Sequence, residues 1–256
     1  MNHVAKKQGF TIIELMLAMA FVSALLIAIA MTVIQIGDIY NKGITYKDVN
    51  QAGRSIASEL QRTIAESASF SIIESDHHYV IQHGDSNDLL GGRLCLGQYS
   101  YIWNYGKYVQ SSDSRINTYQ DADPSTPPPP IRFVKVLDPN SSYCVPNAGG
   151  DYPKIKKDNN AVELLVIGQG TGLNRHDLAL HSFTISASPP SDPKTGQTLY
   201  SIEFLLGTNN QGALFKTNSD NPATTTCRPP SDSNSDAAYC SVNQFNIVAR
   251  AGNTVK

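Results

Sequence analysis

Charge is scarce in this sequence. Asp, Glu, Lys and Arg make up 16% of its 256 residues, against roughly 25% in an ordinary soluble domain. A basic excess is missing too: 20 Lys and Arg stand against 22 Asp and Glu. That balance gives no nucleic-acid signal for the chain as a whole. No two of the four cysteines stand as CxxC, which argues against a zinc knuckle or a thioredoxin-like redox pair. HExxH, GxSxG and GxGxxG are absent, so catalytic zinc, serine-hydrolase and dinucleotide chemistry have no motif to rest on. No catalytic constellation replaces them, and the chain is expected not to be an enzyme and to need no cofactor.

Ser, Thr, Asn, Gly and Pro take the place of the missing charge, and they favour strands and loops over long solvated helices. Hydrophobic residues at 41% supply a core, and the length suits one large domain or two small ones.

A more telling absence lies near the N-terminus. Residues 15–36 contain no charge, no Pro and no Gly. As a helix they span roughly 33 Å at 1.5 Å per residue, matching a hydrocarbon core of about 30 Å. Lys6 and Lys7 just before them belong on the cytoplasmic side. Glu14 is the odd residue at the edge of this run. An acid within a membrane costs a few kcal/mol, roughly, and points to a partner. Cleavage after Gly9 would provide one, the α-amino group of Phe10, a cation with a reference pKa of about 8. Between subunits such a charge pair would fix an axial register, because an unpaired buried charge penalises every other one. Ala20, Ala24 and Ala28 add a small-residue face that permits close helix approach.

The segment Gly9-Phe10-Thr11-Ile12-Ile13-Glu14-Leu15, behind a short basic leader and ahead of an apolar helix, resembles the class III signal of type IV prepilins and pseudopilins. The resemblance covers roughly residues 1–70; the remainder matches that family only in layout. It implies that a prepilin peptidase cuts between Gly9 and Phe10 and N-methylates Phe10, and that Glu14 pairs with the N-terminus of an adjacent subunit. The implied partners are the peptidase, other pilin or pseudopilin subunits and an inner-membrane assembly platform. The implied location is a single pass through the cytoplasmic membrane, N-terminus in the cytoplasm, followed by an extracellular filament. A large head resembles a J-type minor pilin serving adhesion, motility or DNA uptake. A pseudopilin of a type II secretion system is the alternative within the family. A monomeric membrane-anchored binding protein or enzyme is the alternative outside it. A secretory signal cut after Ala30, at Ala28-Ile29-Ala30, leaves Glu14 unexplained and ignores the apolar run through Val33, Ile34 and Ile36. A plain signal anchor also competes.

Beyond the apolar run, Val49, Ala52, Ile56, Leu60 and Ile64 recur at three- and four-residue steps, the pattern of a one-sided helix. Gly43 and Gly53 weaken its continuity. After residue 67 the pattern predicts strands at 70–74, 79–82, 93–96, 99–103, 131–137, 161–167, 182–187, 198–206 and 245–249. Polar loops are expected at 111–130, 139–160, 189–196 and 209–238. The expected fold is α+β and pilin-like: a long N-terminal helix packed on an antiparallel head. Its parts are a leader (1–9), a membrane and polymerisation helix (10–36), an amphipathic helix (37–69) and a β-rich extracytoplasmic head (70–256).

Four cysteines in an exported domain read as two disulfides. Three pairings are open. The local one, Cys95 with Cys144 and Cys227 with Cys240, is favoured because the segment between the last two has little apolar content to hold it. His77, His78 and His83 with Glu74 and Asp76 are the densest set of metal-capable residues, but adjacent strand residues face opposite ways and exposed turn histidines are expected. His176 and His181 are expected on the surface, and Gly168-Gln169-Gly170-Thr171-Gly172 in a turn. Asp220, Asp232 and Asp236 are oxygen ligands of the kind calcium takes, and some members of the resembled family bind it in this region; no EF-hand spacing accompanies them. Tyr99, Tyr101, Trp103 and Tyr105 alternate, with Tyr108 beyond. They form either a stacking platform for a sugar or single strand or, as expected here, a sheet face packed on the helix.

Overall fold

The computed structural model describes residues 10–73, 76–84, 88–109, 115–120, 129–157, 160–165, 177–188, 196–216 and 224–252. One helix, α1 (Ile12–Glu66), runs unbroken through Gly37, Gly43 and Gly53. Thr11 caps it: its hydroxyl accepts from the Glu14 N–H at 3.3 Å, and Glu14 Oε2 accepts from the Thr11 N–H at 2.9 Å. This reciprocal pair is a capping box. Two hydroxyls of the apolar half are satisfied within the helix. Ser23 donates to the Met19 carbonyl at 2.8 Å and Thr32 to the Ile29 carbonyl at 2.7 Å, so neither needs water. At its end the Ser67 N–H and hydroxyl both donate to the Ile64 carbonyl.

Among the described residues the head holds ten strands. β1 (Tyr79–His83), β2 (Leu89–Cys95), β3 (Tyr99–Asn104), β4 (Phe133–Leu137) and β5 (Ala161–Glu163) form an antiparallel meander in chain order. β6 (Leu178–Ala187), β7 (Thr198–Thr208) and β10 (Val242–Ala251) form a second antiparallel sheet with β7 in the middle. β8 (Leu214–Lys216) and β9 (Thr225–Cys227) make a short ribbon. The architecture is thus α+β, one helix against antiparallel sheets.

The apolar stripe on the second half of α1 explains the packing. Val49, Ile56, Leu60 and Ile64 are buried, and so is Gly53, while Ala52 lies at the margin. A Cβ on Gly53 would run into the Phe245 ring from β10. That ring stacks on Phe204 with centroids 5.2 Å apart, so the helix comes too close to the sheet here for any side chain but glycine's. The main core cluster joins both sheets to the helix. Trp103 sits 4.5 Å from Phe183 of the second sheet and 6.0 Å from Phe133 of its own, by ring centroids. Tyr101 donates its hydroxyl to Thr63 of α1 at 2.7 Å. Tyr101, Trp103 and Tyr105 are buried, which makes the aromatic alternation a core face and leaves no open platform there.

Four expectations need correction. Residues 70–73 form no strand, because the Phe70 backbone is paired by a side chain: its N–H donates to the Tyr200 hydroxyl at 2.8 Å, and that hydroxyl donates to its carbonyl. β2 begins four residues before the expected start, through Gly91 and Gly92, where a Cβ at position 92 would meet the Trp103 ring. The polar stretch 209–238 contains the β8–β9 ribbon, stapled by a disulfide. His181 is buried rather than on the surface; its Nε2 lies 3.1 Å from the Thr208 carbonyl. Several expected features, namely the loops at 111–114 and 121–128, Gly168–Gly172 and His176, lie outside the described residues.

A largely buried ion pair ties α1 to the first sheet. Lys135 Nζ of β4 lies 2.5 Å from Glu59 Oε1 and 3.7 Å from the Tyr99 ring centroid, while Arg62 holds the other Glu59 oxygen at 2.7 Å. Burial acts to raise the Glu59 carboxyl, but the hydrogen bond and charge of Lys135, with Arg62 and Thr63, outweigh it and hold it below its ordinary value of 4.5. A carboxyl lowered by folding stabilises fully above its unfolded value and loses that contribution as pH falls through the folded one. The melting temperature of the wild-type chain in non-ionic detergent is therefore expected to fall as pH drops below about 4.5. Glu59→Gln should cost about 2 kcal/mol at pH 7, because Lys135 loses its counter-charge, and should flatten that acid slope. Circular dichroism melts across pH 7 to 3 read both effects; an unchanged slope in the variant would remove Glu59 as its source.

Candidate functional site

Among the described residues, the first half of α1 makes no hydrogen bond to the head. From Phe10 to Tyr40 every large apolar side chain is exposed, and the helix qualifies by length and composition as a membrane span. The free length from residue 12 to residue 40 is roughly 43 Å at 1.5 Å rise. Head contacts begin at Asn41, whose Nδ2 donates to the Tyr239 hydroxyl at 2.8 Å, and Thr45, whose hydroxyl donates to the Ala238 carbonyl at 3.1 Å. The chain is thus built as a head carrying a protruding apolar helix, a candidate single-pass membrane anchor.

Phe10, Glu14, Leu17 and Phe21 line one shallow groove on that helix, as their spacing of four, three and four dictates. Glu14 uses only one oxygen for its cap. Oε2 accepts from the N–H and the hydroxyl of Thr11, each at 2.9 Å; Oε1 has no partner among the described residues. The groove therefore presents a half-used carboxylate within an apolar surface. Gly9 and the residues before it lie outside the described residues.

The cysteines pair as Cys95–Cys144 and Cys227–Cys240. The first bond is buried with Val80. The second closes the lobe whose Ala238 and Tyr239 grip α1.

The histidine group does not converge. His77 is exposed on a backbone with φ +55°, His83 is exposed at the end of β1, and His78 Nδ1 faces the Cys95 carbonyl at 3.0 Å. Glu74 lies outside the described residues, as does Asp220. Asp232 is engaged by Arg228 Nη1 at 2.8 Å and by the Asn234 N–H at 2.9 Å, and Asp236 is met by Asn210 at 3.4 Å. No three metal-capable side chains gather among the described residues.

One cluster went unnoticed in the sequence. Arg93 of β2 is buried, and Asn117 from one loop and Tyr152 and Lys154 from another line the same cavity. Lys154, Lys156 and Lys157, three cations in four residues of a charge-poor chain, are the signal that could have drawn attention to it. No family model, curated protein or solved structure matches this chain.

Proposed function

We propose that this chain is a minor subunit of a type IV pilin-like filament. In this reading a prepilin peptidase cleaves it between Gly9 and Phe10 and N-methylates Phe10, and its N-terminal helix carries it from the cytoplasmic membrane into an extracellular filament. Its work is structural rather than catalytic. The observation that carries the reading is the half-used carboxylate of Glu14 on a wholly exposed apolar helix. A cut after Gly9 leaves the Thr11 N–H intact as an amide, so the capping box survives processing. Oε2 then holds the start of its own helix, and Oε1 remains for the Phe10 amine of a neighbour. Cap and intersubunit pair use different oxygens and need not compete. The exposed apolar face, costly in water, is covered first by lipid and then by neighbouring helices, with the small face of Ala20, Ala24 and Ala28 permitting their close approach.

The platform that extracts the chain and the other pilin or pseudopilin subunits are the partners this reading requires. Mass spectrometry of the N-terminal peptide from cells that make the cognate peptidase tests it. An N-methylated Phe10 is the expected species. A mature terminus at Met31, or an intact Met1, would overturn the proposal.

A further inference from the structure

Among the described residues β10 is an outer strand of the second sheet, and the ladder shows which of its groups face away from that sheet. The Thr208 N–H donates to the Ser241 carbonyl at 2.9 Å. The pairing then runs without a bulge from Val242 opposite Gly207 to Ala251 opposite Thr198. Bonded residues alternate along an antiparallel ladder. Asn243, Phe245, Ile247, Ala249 and Ala251 therefore turn their backbone groups to β7, while Gln244, Asn246, Val248 and Arg250 turn theirs outward. Two side contacts agree with this. The Val248 carbonyl accepts from Gln61 Nε2 of α1 at 3.0 Å, and the Gly252 N–H, two residues past Arg250, donates to the Ser67 carbonyl at 2.9 Å.

Most of the outward groups are unused. Asn243 Oδ1 takes the Gln244 N–H at 3.0 Å. The N–H and carbonyl of Asn246, the Val248 N–H and both backbone groups of Arg250 have no partner among the described residues, and Gln244, Asn246, Val248 and Arg250 are all exposed. The other sheet edges are blunted. β1 has five residues and a bulge at Gln82 and His83; β5, β8 and β9 have three residues each. β6 is bulged between Leu180 and Ser182, and its Phe183 carbonyl is taken by the hydroxyls of Tyr79 and Tyr105 at 3.2 and 3.3 Å. Short strands, bulges, covering groups, Pro and Lys are the means by which a sheet edge avoids taking on another strand. β10 has ten residues, no bulge, no Pro and no Lys.

Outward N–H and carbonyl groups at every second residue repeat at roughly 6.8 Å, and another extended backbone carries the matching repeat. α1 restricts whose backbone that is. The helix follows β10 in the same direction, with Asn50 at Asn243, Gln61 at Val248 and Ser67 at Gly252. Two copies joined antiparallel through β10 would point their apolar helices opposite ways, which anchors sharing one membrane do not allow. Parallel joining about a two-fold would set Asn246 opposite Asn246, whereas the slanted bonds of a parallel pair need an outward residue opposite one turned to its own sheet. A second β10 is thus a poor occupant. Side chains of an added strand alternate between the faces. Those on the inner face would lie beside Phe245 and Ile247, which are only partly buried against the core, and would be apolar. Those on the outer face would lie beside Asn246 and Val248 and meet water. We propose that the edge of β10 from Gln244 to Arg250 takes up an extended segment of a different protein, apolar at alternate positions, as an added strand.

The test uses the full chain in non-ionic detergent micelles, with amide exchange read residue by residue by NMR. The probes are two acetylated, amidated peptides with a Glu at each end, one alternating Thr and Val and the other Thr and Phe, and the same two peptides N-methylated at every amide. In the free chain Asn246, Val248 and Arg250 are expected to exchange fast, and Phe245, Ile247 and Ala249 slowly. Peptide at about 1 mM should slow the first three by about tenfold, which corresponds to a Kd of about 0.1 mM. The methylated peptides should slow none of them. Asn246→Pro removes an outward N–H that the ladder does not use, so it should keep the melting temperature and weaken peptide binding by roughly tenfold. Dimers whose Asn246, Val248 and Arg250 amides are slow before any peptide is added, no slowing by either peptide, equal slowing by the methylated pair, or unchanged affinity in Asn246→Pro would overturn the proposal. The readout is peptide binding by the single chain, so it is independent of whether the chain enters a filament.

Discussion

Glu14→Gln is expected to drop out of sheared filaments by at least tenfold while its head melts at the wild-type temperature. The choice of glutamine matters. Glu14 has two candidate jobs, capping its own helix and meeting a neighbour's amine. Glutamine serves a capping box nearly as well as glutamate, so the variant keeps the first job and loses the second. Thr11→Ala does the reverse. It removes the hydroxyl that accepts from the Glu14 N–H, costs about 1 kcal/mol of local helix stability and leaves the carboxylate charged. If pairing is what matters, Glu14→Gln and Glu14→Ala fail alike and Thr11→Ala assembles. If capping is what matters, glutamine assembles and alanine does not. A charged pair in lipid suffices for the effect: each tenfold change needs about 1.4 kcal/mol, and an unmatched ionised group at membrane depth costs roughly 2.5–3.5 kcal/mol even on insertion scales. Immunoblots of filament and membrane fractions decide between the two, provided that membrane levels are equal.

How much of this was legible beforehand depended on which physics spoke in the sequence. The apolar span and the stripe from Val49 to Ile64 were legible because helix burial repeats at fixed steps. The aromatic alternation of β3 was legible for the same reason at period two. Gly53 was misleading: as a helix residue it reads as weakness, and only the Phe245 ring packed above it shows why no side chain fits. The start of β2 was hidden by Gly91 and Gly92, which have no strand propensity and are strand residues because Trp103 lies against them. His181 reads as polar and hence exposed; the Thr208 carbonyl that satisfies it comes from another strand. The Arg93 cluster was the least accessible. Its members Asn117, Tyr143, Tyr152 and Pro153 are brought together by loops whose paths no local pattern encodes, and the lysines of residues 154–157 were the single trace.

Removing the Cys95–Cys144 bond should destabilise the head far more broadly than removing Cys227–Cys240, although both are local in sequence. The first closes a 49-residue separation and the second a 13-residue one. Loop-closure entropy alone makes these worth about 4 and about 3 kcal/mol. What each bond holds matters more than the loop term. Cys95 ends β2, and Cys144 lies in the turn after β4, one residue from the Tyr143 carbonyl that accepts from Arg93. Cutting this bond releases a turn whose Ser142 and Tyr143 N–H groups bind the buried Asp138 carboxylate at 2.9 and 3.1 Å. Both cysteines are fully buried, so alanine is the proper replacement. Cys95→Ala with Cys144→Ala should lower the melting temperature by roughly 8–16 °C for a head of this size. Cys227→Ala with Cys240→Ala should act locally, speeding amide exchange at the two residues of α1 held by the lobe, Asn41 and Thr45, while the exchange of β3 and β7 stays slow. Such a variant would keep its core yet let the head pivot on the helix. Filament incorporation should then fall with the head still folded, a combination that the first double variant cannot produce. Melting curves with hydrogen exchange on both double variants measure the difference, and equal loss of protection in β3 for the two would show the lobe to be part of the core rather than a clamp on the helix.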